Sequence, residues 1–331
     1  AFFGYPITPQ NEIPEYLSWR LYEVGGCFVQ AESEVAAINM VYGAAGAGAR
    51  AMTSSSSPGI SLKQEGISYI CCSRLPCVIV NMVRGGPGLG GIQPAQSDYF
   101  QATKGGGHGD YHMIVYGPDS VQECVDIMYN AFDVSEKYRV PVMILGDGML
   151  GQIMEPVELP EFKDLSKLPK KPWATYGDGK GKDRRIINSL LIEPDVLEKH
   201  NHLLFDTYKE IADNETMCEE YLCSDAEIVL TAYGTVARIA KSAVDILRSQ
   251  GLKAGLLRPI TLYPFPEKAF LTVAERECVR KFVCIELSMG QMIEDVKLAT
   301  QMKKPVEFYG RVGGNVMTPE DIVEFVTKGD K

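Results

Sequence analysis

Strand-like and helix-like segments alternate along both halves of this chain, and this alternation limits its fold more than any other feature. Successive parallel strands need a crossover connection, usually a helix, so the pattern predicts an α/β protein with helices on both faces of mainly parallel sheets. In the first half, strands are expected at residues 26–30, 51–54, 77–83, 113–116 and 140–145. In the second half, they are expected at residues 228–232, 254–257, 282–286 and 306–309.

The length and composition favour two domains. A chain of 331 residues that is 45% hydrophobic can bury two sizeable cores. Residues 155–185 are rich in Pro, Lys, Asp and Gly, including Gly177, Gly179 and Gly181, and are typical of a connector. A polar helix is expected over residues 195–220. The expected organisation is a first α/β domain at 1–154, a linker with a connecting helix at 155–225, and a second α/β domain at 226–331.

Capping residues mark several expected boundaries. The best-defined helix is expected over residues 119–139, with Asp119 as its cap and apolar residues on one face. Thr318 and Pro319 are expected to cap and open the last helix. Ala1–Gly4 is typical of a strand that runs into a turn, so we expect the natural N-terminus to lie upstream.

Charge and cysteine content exclude several classes of function. The net charge of −10 repels nucleic acid and anionic lipid, so we expect neither as a partner. No apolar run approaches the roughly 20 residues of a membrane span, and no signal peptide is visible, so we expect a cytoplasmic protein. The nine cysteines have no regular spacing and form no Cys-x-x-Cys array, which favours reduced thiols and no iron–sulfur cluster on this chain.

Glu34 is the first candidate for chemistry, because it lies where a predicted strand ends and an apolar helix begins. One interpretation is an acid in the first helical turn, stabilised by the helix dipole. The other is a desolvated carboxylate that hydrogen-bonds a heterocycle, since ligands of α/β sheets bind at the carboxyl ends of strands. Glu32, which precedes the helix, is the weaker candidate.

Arg84 and Thr8 follow two other predicted strands. Five glycines lie within residues 85–91, and such a loop allows close approach of a ligand whose carboxylate the Arg84 guanidinium grips through two hydrogen bonds. A structural ion pair is the alternative. Thr8 stands between Pro6 and Pro9, which restrict the backbone and fix the direction of its hydroxyl. A simple turn is the alternative there.

Three motifs imitate binding sites but have the wrong context. Gly46-x-Gly48-x-x-Ala51 has the spacing of a dinucleotide fingerprint, yet it follows a helix and leads into a strand. Gly146-Asp147-Gly148 resembles the start of a diphosphate and magnesium motif, but no Asn pair follows at the required distance. His108, Asp110 and His112 lack a third ligand for a metal.

Taken together, several ordered motifs resemble the α subunit of 2-oxoacid:ferredoxin oxidoreductases. The resemblance covers nearly the whole chain, and its second half is similar to the transketolase C-terminal-like domain of that family. The first-half motifs are YPITP at 5–9, QAESE at 30–34, TSSSSPGISL at 53–62 and RGGP at 84–87. The second-half motifs are TAYGT at 231–235, LRPITLYPFP at 257–266 and GGN at 313–315.

The resemblance implies a role for each candidate residue. The first domain would bind the pyrimidine ring of thiamine diphosphate, with Glu34 on ring atom N1′ and Pro6 and Ile7 also at the cofactor. Thr8 and Arg84 would hold the carboxylate of a 2-oxoacid. The product would be an acyl group taken by coenzyme A, with electrons passed to ferredoxin.

The resemblance also implies partners, because this chain lacks a diphosphate motif and cluster cysteines. A β subunit would supply the diphosphate-binding domain with Mg²⁺, and a ferredoxin-like subunit would carry [4Fe-4S] clusters beside a further small subunit. The isolated chain would form a homodimer and bind thiamine diphosphate poorly.

The substrate and two rival functions stay open at this point. Relatives act on pyruvate, 2-oxoglutarate, branched-chain or aromatic 2-oxoacids, and GLGGIQPAQ at 88–96 looks most like the branched-chain (2-oxoisovalerate) type. One rival is the β subunit of a lipoate-linked 2-oxoacid dehydrogenase or a transketolase relative. The other is a non-catalytic scaffold subunit whose sheet docks partners.

Overall fold

Short apolar runs in the first half of the chain form six strands of a seven-stranded sheet. The computed structural model describes residues 1–175 and 184–328. The central strands of this sheet, Val78–Val83 and Val142–Asp147, are buried along their whole length, as expected for a parallel sheet covered on both faces. The parallel strands are β1 (Phe2–Gly4), β2 (Phe28–Gln30), β3 (Met52–Ser55), β4 (Val78–Val83), β5 (Ile114–Tyr116) and β6 (Val142–Asp147).

Five helices connect these strands. They are α1 (Glu12–Glu23), α2 (Glu34–Gly46), α3 (Ser57–Cys72), α4 (Tyr99–Thr103) and α5 (Val121–Tyr138). The expectation that Asp119 caps α5 is wrong, because the side chain of Ser120 accepts the backbone N–H of Glu123 at 3.2 Å. The Glu123 carboxylate in turn accepts the N–H of Asp119, which completes a reciprocal cap.

The connector contains a 3₁₀ turn at Leu165–Lys167 and the helix α6 (Pro194–Asn214). The three glycines that suggested a flexible connector, Gly177, Gly179 and Gly181, lie outside the described residues. The expected helix to residue 220 is too long, since α6 ends at Asn214 and Cys218–Tyr221 forms the strand β7. The backbone groups of β7 pair antiparallel with β9 instead of continuing a helix.

A second α/β domain follows, with a five-stranded sheet in the order β12-β11-β8-β9-β7. Only β7 is antiparallel among its described strands. Its other strands are β8 (Ile228–Thr231), β9 (Ala254–Pro259), β11 (Lys281–Glu286) and β12 (Val306–Gly310). Its helices are α7 (Gly234–Ser249), α8 (Glu267–Ala274), α9 (Met292–Ala299) and α10 (Pro319–Lys328). The predicted Thr318 cap is confirmed, because its hydroxyl accepts the N–H of Asp321.

The strand β10 (Thr261–Tyr263) joins the two domains. It leaves the second domain and pairs antiparallel with β5, which makes the first sheet β10-β5-β6-β4-β3-β1-β2. Gln96 adds a second link, since its side chain donates to Tyr233 O at 2.9 Å and accepts from Leu287 N at 3.0 Å. One apolar core is therefore continuous between the domains. Within residues 1–175 and 184–328, no helix has the length and apolar character to cross a membrane.

A buried ion network ties α5 to β7 and β9. The Arg258 guanidinium is 3% exposed and donates two 2.8 Å hydrogen bonds to the Glu123 carboxylate. It also donates to Glu219 at 2.7 Å, and Lys241 contacts the same Glu219 carboxylate. The network therefore crosses from the first domain to the second.

We expect Arg258→Met to lower the free energy of unfolding by about 2–3 kcal/mol, because it removes a buried cation and its hydrogen bonds to the half-buried carboxylates of Glu123 and Glu219. Urea denaturation followed by circular dichroism measures this loss. Arg276→Met is the control, since Arg276 makes a similar two-pronged pair with Glu220 at the surface and should cost about 1 kcal/mol or less. Equal losses in both variants would contradict the structural role of the network.

Candidate active site

Polar side chains collect at the carboxyl edge of the first sheet. Thr8 follows β1, Glu34 follows β2, Ser55 ends β3 and Arg84 follows β4. These four strands are neighbours in the order β4-β3-β1-β2 and run parallel, so their carboxyl ends share one edge. This edge is where open α/β sheets bind ligands.

Glu34 is the first residue of α2, and it is only 7% exposed. Ser33 caps the helix by accepting the N–H of Ala36 at 3.2 Å, which fixes the backbone that carries Glu34. Glu32, the weaker sequence candidate, is exposed. A solvated acid at a helix start would lie at the surface, so the burial of Glu34 favours the interpretation as a desolvated carboxylate.

The helix α3 closes over Glu34 at Gly59. A Cβ atom at Gly59 would lie 2.1 Å from Ser55 Oγ and 2.9 Å from Glu34 Oε1, so only glycine fits there. The hydroxyls of Ser55 and Ser56 are buried and have no hydrogen-bond partner among the described residues. Buried polar atoms are almost always paired, so these two hydroxyls beside a buried carboxylate point to a ligand.

Arg84 is also 7% exposed, and it organises the loops around it. Its Nη1 donates to Thr8 O at 2.9 Å and its Nη2 donates to Leu89 O at 3.2 Å. Its backbone N–H donates to Ser57 Oγ at 3.1 Å. Its Nε is buried and has no hydrogen-bond partner within residues 1–175 and 184–328. Since a guanidinium carries five N–H bonds, Nε–H and further Nη hydrogens stay available for a ligand carboxylate.

Thr8 is half-buried, and its hydroxyl accepts a long 3.5 Å bond from Asn11 Nδ2. Because Arg84 bonds the carbonyl of Thr8, the structure brings these two predicted residues together. Ile7 is half-buried and Pro6 is exposed in the same segment. The Ile7 carbonyl accepts the N–H of Gln10, whose side chain in turn accepts from the Ser54 hydroxyl.

A cavity of about 350 Å³ opens beside Thr8. Its lining combines residues of both domains, and none of the lining side chains is ionisable. The lining residues are Thr8, Ile92, Gln93, Pro94, Gly148, Met149, Gln152, Ile153, Gly314 and Val316.

The imitating motifs have structural explanations. The Gly46 to Ala51 segment does connect helix α2 to strand β3, the reverse of a dinucleotide site. Asp147 is buried and accepts the N–H groups of Met149 and Leu150 at 2.9 and 3.1 Å, which forms the turn after β6. Burial raises the pKa of its carboxyl. Among the described residues, no group of three potential ligands, whether at His108 and His112 or elsewhere, could hold a metal.

The site fits the pyrimidine half of thiamine diphosphate. A polar heterocycle needs a buried hydrogen-bonding group, and Glu34 supplies one. The unpartnered hydroxyls of Ser55 and Ser56 offer further hydrogen bonds at the same end of α3. These three side chains would therefore hold the ring.

Comparisons with known proteins establish the family. The model described as "Pyruvate flavodoxin/ferredoxin oxidoreductase, thiamine diP-bdg" matches residues 1–220. The model described as "Pyruvate:ferredoxin oxidoreductase core domain II" matches residues 226–322. The chain therefore belongs to the 2-oxoacid:ferredoxin oxidoreductase family, which confirms the resemblance of its motifs and favours it over the lipoate-linked and scaffold alternatives.

Two curated relatives align along almost the whole chain. Ketoisovalerate oxidoreductase subunit VorB of Methanothermobacter marburgensis is 50% identical over 323 residues, which is 98% of this chain and 90% of the relative. The 2-oxoglutarate synthase subunit KorA of Methanothermobacter thermautotrophicus is 36% identical over 359 residues, which is 99% of this chain and 93% of the relative.

Solved structures agree with the fold. The 2-oxoglutarate:ferredoxin oxidoreductase from Magnetococcus marinus, solved with 2-oxoglutarate, coenzyme A and succinyl-CoA bound, matches with a TM-score of 0.86 and 27% identity. The match covers 100% of this chain and 62% of that longer chain. A split gene transketolase shares only the fold, with a TM-score of 0.60 and 15% identity.

Sequence reasoning missed three contributors to the site. Ser55 and Ser56 enter the sequence analysis only within the family motif at residues 53–62. A run of hydroxyl side chains between a strand and a helix is itself typical of a turn that caps the helix and faces a ligand. Lys63 gave no signal, because a lysine within a helix normally faces water.

We expect Gly59→Ala to lower the free energy of unfolding by about 1–3 kcal/mol, because the new methyl group displaces Ser55 and Glu34. Gly43→Ala is the matched control, since Gly43 lies on the exposed side of α2 with open space around it and should gain about 0.5–1 kcal/mol. Thermal unfolding of both variants measures the difference. A Gly59 variant as stable as the wild type would show that α3 does not close tightly over Glu34.

Proposed function

We propose that this chain is the α subunit of a thiamine-diphosphate-dependent oxidoreductase that converts 2-oxoisovalerate to an acyl-CoA and reduces ferredoxin. The observation that carries the proposal is the placement of a buried acid, Glu34, at the same sheet edge as Arg84 and Thr8, beside a cavity without ionisable side chains. The 50% identity to a ketoisovalerate oxidoreductase subunit supports the substrate.

Glu34 would bind the aminopyrimidine ring at N1′ through its buried carboxylate. When bound, thiamine diphosphate supplies the nucleophilic carbon for a 2-oxo group and accepts the electrons released on decarboxylation. The protein's part is to keep water away from the carboxylate, since a hydrogen bond to an ionised group is stronger in a medium of low dielectric constant. The tight packing of Gly59 against Glu34 supports this role.

Arg84 and Thr8 would hold the carboxylate of the substrate. The free Nε–H of Arg84 and a further Nη hydrogen suit a two-pronged bond to a carboxylate, and the Thr8 hydroxyl can donate a third hydrogen bond. Pro6 and Ile7, from the same segment, would lie beside the cofactor ring.

The uncharged lining of the cavity beside Thr8 supports a branched aliphatic substrate. Ile92, Met149, Ile153 and Val316 offer a surface for an isopropyl group. The second carboxylate of 2-oxoglutarate would find no cationic side chain in this lining and would lose its hydration on entry. This difference favours 2-oxoisovalerate over 2-oxoglutarate.

The active site would be completed by other subunits. A β subunit would bind the diphosphate and Mg²⁺, and a ferredoxin-like subunit with [4Fe-4S] clusters, beside a further small subunit, would pass electrons to ferredoxin. Exposed apolar side chains at the site support a partner surface, namely Leu89 at 83%, Ile92 at 56% and Met149 at 36% exposure. We also propose a homodimer of the isolated chain and a cytoplasmic location.

Glu34→Gln in the reconstituted complex should lower the rate of ferredoxin reduction by about a hundredfold or more, because the amide cannot take up or release the ring proton. Glu32→Gln is the matched control, as Glu32 is exposed two residues away and should keep nearly full activity. Activity retained after the Glu34 change would favour a scaffold, and reduction of NAD instead of ferredoxin would favour a lipoate-linked dehydrogenase.

Met149→Arg should shift the ratio of kcat/KM values toward 2-oxoglutarate by about tenfold, since it places a cation in the cavity for the second carboxylate. Met154→Arg is the control, because Met154 is 97% exposed and does not line the cavity. Both ratios are measured with 2-oxoisovalerate and 2-oxoglutarate in the same complex. An unchanged ratio in Met149→Arg would place the substrate side chain elsewhere.

A further inference from the structure

Lys63 is a fully buried lysine on α3, in a position where a charged side chain is costly. Its Nζ donates to Thr53 Oγ1 at 2.7 Å and to the Ser54 carbonyl at 3.0 Å, both in β3. An ammonium group has three N–H bonds, so two neutral acceptors satisfy it only in part. No apolar packing requirement explains a lysine here.

The charge that acts on Lys63 is the carboxylate of Glu34. Gly59, one helical turn before Lys63 on the same face of α3, is in contact range of Glu34 Oε1. Burial lowers the pKa of Lys63 and outweighs the opposing effect of the Glu34 carboxylate, so that the pKa is about 7. Within the described part of the chain, the two side chains form no direct ion pair, so the attraction acts across the space between them.

Other ionisable groups on the packed elements are engaged elsewhere. On α3, the carboxylate of an acidic residue accepts a hydrogen bond from a tyrosine on the exposed side of the helix. The ionisable side chains of the neighbouring segments form hydrogen bonds with residues other than Lys63. These pairs are Glu65 with Tyr69, Tyr111 with Gln64, and Asp98 with Asn81. Among the residues that the structure describes, Glu34 is therefore the anion that acts on Lys63, and it is the acid assigned to the cofactor.

We propose that Lys63 is a positioning residue that orients the Glu34 carboxylate for the cofactor ring. The inference rests on the proposed function of Glu34. A buried cation near a carboxylate attracts it without competing for its hydrogen bonds, and so favours one direction of the side chain. Its two bonds to β3 also fix the strand end that carries the unpartnered Ser55 and Ser56 hydroxyls.

The test is a double-mutant cycle on thiamine diphosphate affinity, measured by titration calorimetry on the reconstituted complex at pH 6.5, where Lys63 carries its charge. Lys63→Met should weaken binding about tenfold when Glu34 is present and less than about twofold in the Glu34→Gln background. Lys63→Gln should behave like Lys63→Met, because it keeps hydrogen-bonding capacity toward β3 but loses the charge. Equal weakening in both backgrounds, or wild-type affinity in Lys63→Gln, would show that Lys63 only clamps β3 and would overturn the proposal.

Thermal stability gives a second readout that needs no cofactor. The pKa of Lys63 is below its ordinary value, so the folded state loses this proton near pH 7 whereas the unfolded chain keeps it to about pH 10. The cost of burying the charge is therefore full below pH 7 and shrinks as pH rises. Lys63→Met should melt at a higher temperature than wild type at pH 6.5, with a smaller advantage at pH 9. A lower melting temperature at both pH values would contradict this.

A control variant and the single Glu34→Gln variant distinguish failure of the inference about Lys63 from failure of the proposed function of Glu34. Gln64→Met changes a buried polar residue of the same helix that bonds Tyr111, and it should leave thiamine diphosphate affinity within about twofold. If Glu34→Gln alone leaves that affinity unchanged, the proposed function of Glu34 fails. If Glu34→Gln weakens binding and Lys63→Met does not, only the inference about Lys63 fails.

Discussion

The close approach of α2 and α3 is the constraint on which the candidate site depends. Gly59 lets α3 reach Glu34, and seven residues later a Cβ at Gly66 would lie 2.5 Å from Ile38. Because both contacts lie on one helix face, the two helices seal the carboxyl end of β2 from water. Burying the Glu34 carboxylate there costs free energy, and the neighbouring polar groups offset part of that cost by interacting with its charge.

The sheet order turns these local contacts into one site. Residues 8, 34, 55 and 84 are far apart in sequence, yet parallel pairing brings their strand ends to one edge. Arg84 then joins the loops, since its guanidinium bonds the carbonyls of Thr8 and Leu89. It is thus a structural residue and a candidate ligand-binding residue at once, although its structural role among the described residues is carried by hydrogen bonds to carbonyls and not by the ion pair considered from the sequence.

Most strands could be predicted because buried parallel strands are continuous apolar runs, as at Val78–Val83. The strands β7 and β10 were not predicted, because each is short and depends on partners distant in sequence. The helix α1 was also missed, since none of its residues is buried and it shows no apolar stripe. In the site, Glu34 and Arg84 were found from their places at strand ends, whereas Lys63 could not be, because its burial arises from three elements that meet only in the fold.

The strand β10, which the second domain contributes to the sheet of the first, limits how the two domains can move relative to each other. A domain that lends a strand to its neighbour cannot swing about a hinge without breaking backbone hydrogen bonds. Any opening that admits a substrate must therefore come from loops such as residues 85–93 at the cavity, with the two domains moving as one body. The strand β10 also covers the outer edge of β5. A fragment without Thr261–Tyr263 would therefore expose an unpaired edge strand that can pair with another molecule.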